Sequence, residues 1–529
     1  MQVVRIGDGS GKRHSADVVG AKAANLARMT ALGLPVPPAF VLPVDLCAAI
    51  VSGEGRAMEK LAEGLAEGIE FLEATTCKEF GDRRRPLLVS VRSGAARSMP
   101  GMLDTVLNVG CTMAAAHGLV RATGNPRFAW DCRRRFIESY GTVVLGLDDA
   151  SFREQRVKLL VAEGVASEQA LDGEAVERLA KSYQDKIEDD DLTIPEDPME
   201  QLESAAKAVY RSWMSDRART YRQVAKLEDL VGTAVTVQAM VYGNCSLTSG
   251  AGVAFSRDPS TGAAQPVIDI LFGSQGEDVV SGSRTPDSET AIAQSLPAVA
   301  AQLREILMRL EREFADVQDV EFTVEDGRLW ILQTRAAKRT PQAALRFAVD
   351  FVKEGLIPPA YGLHRLKDLD FKMLAHKRLL DVPPPIARGT GASAGIAVGR
   401  IALDSTTAER MAAGGDPVIL ARPDTSTADV AGFAAAAGII TAVGGRTAHA
   451  ALVARQMGKP CIVGCAMLAI DIASRRARFA GAVVEEGTWL SIDGETGAIY
   501  RGRHKVVSEL PEADLAEIGT WRKKEPAAV

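Results

Sequence analysis

The sequence predicts a multi-domain chain of mixed α/β and α+β character, and three observations point there. At 529 residues it is too long for one hydrophobic core; at about 100–200 residues per domain, roughly three or four units follow. Short apolar runs of strand character alternate with longer runs of helical period. Around His449 a strand, a glycine turn and a helix follow one another directly.

Taken in order, Ala21 to Ala31 reads as a helix, stopped by the proline-rich run Leu34 to Pro38, and Leu87 to Val91 as a short apolar strand. Residues 113–225 turn helical, with charged stretches Glu174 to Asp189 and Met199 to Arg222, and read as an insertion. Strand signals return at Ala234 to Tyr242, Gly252 to Phe255, Val267 to Phe272, Val320 to Val324 and Leu329 to Gln333, the last two joined by Glu325-Asp326-Gly327. A helical connector is expected from 341 to 380, then a stiff joint at Pro383-Pro384-Pro385. Beyond it, strands at Ile396 to Leu403, Val418 to Ala421, Gly438 to Val443, Cys461 to Val463 and Trp489 to Ile492 alternate with helices. The expected domains are therefore 1–340, a connector 341–385, a compact α/β domain 386–505, and a tail 506–529 whose end, from Lys523, reads as exposed.

Hydrophobic residues at 47% and charged residues at 25% are ordinary globular values. Sixty-eight acids against sixty-two bases give a net charge of −6, so no general field favours nucleic acid or an anionic membrane, and any phosphate site must be local. Seven cysteines show no Cys-x-x-Cys pair and no zinc-type spacing. Cys461 to Cys465 fits a buried strand better than a metal site. The N-terminus lacks signal-peptide design and no 18-residue apolar run occurs. A cytoplasmic protein is expected.

The loop Gly444-Gly445-Arg446-Thr447-Ala448-His449 precedes a helix expected to run to Gly458. Two glycines allow a tight turn, and the free amides of the first helical turn favour an anion at His449. Arg446 could add a charge-assisted bond to phosphate. A merely helix-capping histidine is the plainer reading; the loop context favours chemistry. The string, extended by Gly458-Lys459-Pro460-Cys461-Ile462-Val463-Gly464, resembles the phosphohistidine motif of enzymes that use phosphoenolpyruvate (PEP). Residues 90–110, SVRSGAARSMPGMLDTVLNVG, followed by Gly124 to Trp130 and Arg134-Arg135-Phe136, resemble the nucleotide-binding domain of pyruvate phosphate dikinases, an ATP-grasp fold. Matching stretches run from Gly20-Ala21-Lys22 to Gln318 to Thr340, spanning about residues 18 to 500. Three positions depart from the dikinase pattern: Arg446 stands where methionine is usual, Ala448 where serine is usual, and Asp269 where glutamate is usual.

The resemblance implies roles. Lys22 and Arg92 would bind phosphates; Met240 and Val241, beside the adenine, would read the base through their backbone; Glu277 and Asp278 would meet ribose or metal, unless they only line a surface loop. Glu321 and Gln333 would give oxygen ligands to Mg²⁺, and Arg335 would hold the γ-phosphate. His449 would be the phosphoryl carrier in a swivelling domain, with Gly444, Gly445, Arg446 and Thr447 as its loop. Thr447 equally suits a helix N-cap.

The implied activity is ATP- and phosphate-dependent phosphorylation of the chain's own histidine, releasing AMP and pyrophosphate, the phosphate then passing to pyruvate or another acceptor. Substrates would be ATP and inorganic phosphate, with Mg²⁺ as cofactor. The family's (β/α)₈ barrel needs about 250 residues, and this chain ends soon after the histidine domain, so a natural short form serving a separate PEP/pyruvate-binding chain is expected, with a homodimer as the assembly. The competing reading is a non-catalytic phosphocarrier or regulatory nucleotide-binding module.

Overall fold

A computed structural model of the chain describes residues 3–97, 99, 102–224, 226–280, 284–370, 374–424 and 429–524. The chain forms two compact units, Met1–Ser246 with Trp330–Thr334, and Leu247–Leu329 with Arg335–Val529. Among the described residues no helix is long and apolar enough to cross a membrane.

The first unit is built on a five-stranded antiparallel sheet in the order Val4–Ile6, Ala39–Leu42, Ala234–Ala239, Val89–Gly94, Thr105–Val109. Its strands are rich in Val, Leu and Phe, which fit a pleated buried surface. One hydrophobic core joins that sheet to the helices Pro126–Val143, Gly173–Asp189 and Pro198–Arg211. These lie in the expected helical stretch, where residues 199–222 form two helices separated by a short 3₁₀ turn.

The first helix, Ala16–Ala31, starts earlier than the sequence suggests, because Ser15 caps it by accepting from Asp17 N. Gly20 interrupts it with φ +79°; a Cβ there would lie 2.0 Å from Gly94 O. Glycine alone allows that approach, and Ala21 N then donates to Ala95 O at 2.9 Å. The start of the Lys22 helix is thereby fixed against the end of the Arg92 strand.

In the second unit the strands Asp287–Ser288, Val267–Phe272, Gly250–Phe255 and Gln318–Glu325 pair antiparallel. After Gln318–Glu325 the chain reverses at Asp326 and Gly327, both with positive φ, as a two-residue hairpin turn requires. The next strand is Arg328–Ala336. Buried Arg257 reaches Glu311 at 2.8 Å and Glu354 at 2.6 Å, which ties the helix end after Pro341–Lys353 to this region.

The same unit holds an eight-stranded sheet whose centre is parallel: Ile396–Ala402, Val418–Arg422, Gly438–Thr441, Cys461–Val463. Helices Ser405–Ala413, Val430–Ala435 and His449–Gln456 complete an α/β layer. Cys461 and Cys465 are buried, and all seven cysteines are unbridged.

One expectation is corrected. The connector is helical over Pro341–Lys353 and Pro359–Arg365, but His376–Leu380 is a strand paired with Lys505–Glu509. Its partner lies some 125 residues away in sequence, so local patterning carried no sign of it. Within the tail, Glu512–Lys524 is a helix whose Ile518 and Trp521 pack with Leu345, Ala348, Val349 and Leu366, and Lys523 is exposed. Residues 525–529 lie outside the described residues, as do Ser98, Pro100 and Gly101 of the 90–110 motif.

Candidate active site

His449 is the first residue of its helix, His449–Gln456. The first helical hydrogen bond runs from Leu452 N to Ala448 O at 3.1 Å, so the preceding amides have no carbonyl one turn back and form the positive end of the helix. Ala448 is the N-cap residue, with no side-chain cap. Thr447 therefore does not cap the helix; it is buried and its Oγ1 has no partner. The His449 ring lies 6.4 Å from that of Phe433, and its Nε2 is buried without a hydrogen-bond partner among the described residues. Burial lowers the ring's pKa, against the opposing pull of Asp429, so the imidazole is neutral at pH 7 and keeps a lone pair.

The glycines of the loop have distinct tasks. Gly444 adopts φ +108°. Gly445 is needed for closeness: a Cβ would fall 2.3 Å from Pro286 Cγ and 2.9 Å from Asp269 Oδ2. Arg446 N donates to Asp269 Oδ2 at 2.9 Å, and Arg446 Nε donates to Gly391 O at 3.2 Å. Burial raises the Asp269 pKa while the Arg446 guanidinium pulls against it. Two of the positions that depart from the dikinase pattern, Arg446 and Asp269, thus meet in one contact, and Arg446 is committed to the protein rather than pointing out as an unengaged cation.

Beneath the loop lies a pair that sequence reading passed over. Asp319 is buried on the strand Gln318–Glu325, two residues before Glu321 and on the same face. Its Oδ2 accepts from Arg335 Nε at 2.8 Å, while Arg335 Nη2 stands 3.9 Å from Glu321 Oε1. Burial pulls the Arg335 pKa down, but the Asp319 and Glu321 carboxylates hold it above the ordinary value. The spacing to Glu321 was the signal available for Asp319.

In the first unit, Lys22 lies on the first helix and Arg92 on the strand Val89–Gly94, both half-buried. Met240 and Val241 follow the strand Ala234–Ala239, and Met240 N already donates to Leu88 O at 3.0 Å. Asn25 Nδ2 donates to Thr334 O at 3.0 Å, beside Gln333. Arg97 is exposed and 3.8 Å from Asp229. In the second unit Glu277 and Asp278 begin a short helix, where Asp278 Oδ2 accepts from Gln275 N at 3.1 Å.

Among the described residues no group of three or more His, Cys, Asp or Glu side chains could hold a metal ion. Glu321 lies on the strand Gln318–Glu325 and Gln333 on the strand Arg328–Ala336.

Residues 54–305 and 290–355 match the family model "Pyruvate phosphate dikinase, AMP/ATP-binding domain", and residues 414–497 match "PEP-utilising enzyme, mobile domain". The pyruvate, phosphate dikinase of Clostridium symbiosum is 39% identical over 96% of this chain and 59% of its own length. That of Rhizobium meliloti is 40% identical over 97% of this chain and 59% of its own. The chloroplastic pyruvate, phosphate dikinase 1 of Arabidopsis thaliana is 39% identical over 97% and 54%. The chain spans little more than half the length of these relatives. With the nucleotide-side and mobile-domain matches together covering most of its residues, the chain belongs to the pyruvate phosphate dikinase family.

Proposed function

We propose that this chain carries out the nucleotide half of a dikinase reaction, in which ATP and inorganic phosphate phosphorylate His449 and AMP and pyrophosphate leave. The observation that carries the proposal is His449 itself: a neutral imidazole with an unpartnered Nε2, at the positive end of a helix, behind a loop that only glycines allow. Nε2 attacks the β-phosphorus of ATP, the bond to the α-phosphate breaks, and AMP departs. The terminal phosphoryl group of the pyrophosphohistidine then passes to inorganic phosphate, giving pyrophosphate and phosphohistidine.

Such transfer needs positioning and charge neutralisation more than covalent help. Lys22 and Arg92 are the cations for the phosphate chain, and Arg335 for its terminal group. Glu321 and Gln333 would hold Mg²⁺, which when bound offsets phosphate charge. The carbonyl of Met240 and the backbone of Val241 read the adenine, and Glu277 is the acid for the ribose. The first-turn amides of the His449 helix receive the transferred phosphoryl group. The histidine-bearing domain, 386–505, swivels to deliver the phosphate to pyruvate or another acceptor on a separate domain or chain.

The test is mass spectrometry after Mg²⁺, ATP and phosphate. An acid-labile gain of one phosphoryl group supports the reading; an unchanged mass with ATP intact sinks it.

A further inference from the structure

The backbone assigned to the adenine lies where the sheet of the first unit gives out. The strand Ala234–Ala239 ends just before Met240, so no ladder continues through Met240 and Val241, which are half-buried. Met240 N donates to Leu88 O at 3.0 Å. Among the described residues, Met240 O and both backbone polar groups of Val241 take part in no hydrogen bond, which leaves them open to a ligand. Something other than strand pairing must hold these groups in place.

The helix Pro126–Val143 supplies it. Its N-cap residue Asn125 donates from Nδ2 to Cys245 O at 3.1 Å, while Asn125 Oδ1 accepts from Phe128 N at 3.1 Å. The Phe128 ring meets the Tyr242 ring edge to face, with centroids 4.9 Å apart at 71°. Asp131 Oδ2 accepts from Asn244 Nδ2 at 2.9 Å. Residues 125, 128 and 131 are three apart, so they line one face of the helix, and their partners all fall within residues 242–245. Phe128, Asp131, Tyr242 and Asn244 are buried. Arg134 Nη2 and Arg135 Nε both donate to Asp131, so the hold on Asn244 is anchored in a charged network.

We propose that the Asn125, Phe128 and Asp131 face of this helix positions the base-reading backbone of Met240 and Val241, with Asn244 as a positioning residue, and so sets affinity and selectivity for the adenine ring. The inference rests on the adenine assignment within the proposed nucleotide half-reaction and adds to it the means by which that backbone is aimed. The exocyclic amine of adenine donates a hydrogen bond, whereas guanine presents a carbonyl oxygen at the same position. A fixed Met240 carbonyl therefore accepts from ATP and repels GTP, and a carbonyl free to shift discriminates less. Lys22 and Arg92 are assigned to the phosphates, so loosening this hold costs base recognition and spares the phosphate chain.

The experiment is titration calorimetry of the full chain with ATP, GTP and tripolyphosphate, each with Mg²⁺, in a His449→Ala background so that binding is read without transfer. Asn244→Ala and Asn125→Ser are compared with that parent. Serine still caps the helix but is too short to reach Cys245 O, so the second variant reads the hold even where the first fails to fold. Asn244→Ala is expected to weaken ATP about tenfold and Asn125→Ser about threefold, with the preference over GTP narrowing alike and tripolyphosphate staying within about twofold. Parent-like ATP affinity and preference in either folded variant would overturn the positioning role. So would ATP and tripolyphosphate weakening in step, the mark of a general structural loss. A parent that binds ATP no tighter than GTP or tripolyphosphate would instead overturn the adenine assignment, and the positioning role with it.

Discussion

Two regions of the molecule bury charge, and they do so in opposite ways. In the first unit, Asp131 accepts from Arg134 Nη2 at 2.8 Å, Arg135 Nε at 2.9 Å and Asn244 Nδ2 at 2.9 Å. Arg134 continues to Glu138 at 2.7 Å and Glu168 at 3.4 Å. In the second unit, Arg455 Nε and Nη2, Asp319 Oδ1, His449 Nε2 and Thr447 Oγ1 are buried without partners. The first is a closed network that fixes helices to one another. The second is an open one, and buried polar groups left unpaired call for an explanation. On the proposed reading, a transferred phosphoryl group and a domain that swivels supply it.

The contrast can be broken most forcefully at Asp131. Asp131→Asn should destabilise the first unit by about 3–5 kcal/mol, because it leaves two buried guanidiniums short of charge; calorimetry of the full chain reads this as a lower first transition. Burial alone would raise the Asp131 pKa, but Arg135 and Arg134 hold it well below the usual carboxylate range. Its stabilisation is therefore present above the unfolded value of about 3.9 and is lost as pH falls through the lower folded value. A melting temperature unchanged in Asp131→Asn would show that the network is decorative.

The next effect belongs to the loop. Gly445→Ala places a methyl against Pro286 and should slow phosphorylation of His449 by about tenfold or more through misplacement, with little change in the melting temperature of the first unit. Rapid-quench kinetics would expose an error here if the variant reacts at full rate.

A smaller effect concerns pH. The seated His449 ring has its pKa lowered by burial, whereas an exposed one titrates near 6.5. As pH falls below about 6.5 the exposed ring gains a proton first, so the seated arrangement loses stability as pH drops towards the lowered value. An NMR titration of His449 should therefore show a midpoint below the ordinary imidazole value of about 6.5, and an equal or higher one would refute the burial argument.

The smallest effect is expected at Thr447. Its hydroxyl is buried without a partner, so Thr447→Val should change stability by no more than about 1 kcal/mol, in either direction. A larger loss measured by thermal melting would mean that the hydroxyl has a partner after all.

What the sequence disclosed follows the same division between local and distant. The strand, glycine turn and helix around His449 are contiguous, so their chemistry could be read directly. Asp326-Gly327 announced its hairpin for the same reason. The pairing of His376–Leu380 with Lys505–Glu509 joins residues far apart in the chain, and no local period encodes it. Thr447 looked like a cap because its residue type suits one; the backbone placed Ala448 there instead. Asp319 and Arg455 escaped notice because a charge in an apolar run declares its meaning only when the opposing strand and helix are in place. Arg446 and Asp269 were each legible as departures, yet only the fold shows that they touch.

The most direct test of the central claim is to count products in one turnover. Purified chain with Mg²⁺, ATP and inorganic phosphate should yield AMP and pyrophosphate in equal amounts to the acid-labile phosphate gained, all three vanishing in His449→Ala while ATP still raises that variant's melting temperature. Phosphate appearing on the His449→Ala chain, or ADP in place of AMP, would contradict the account.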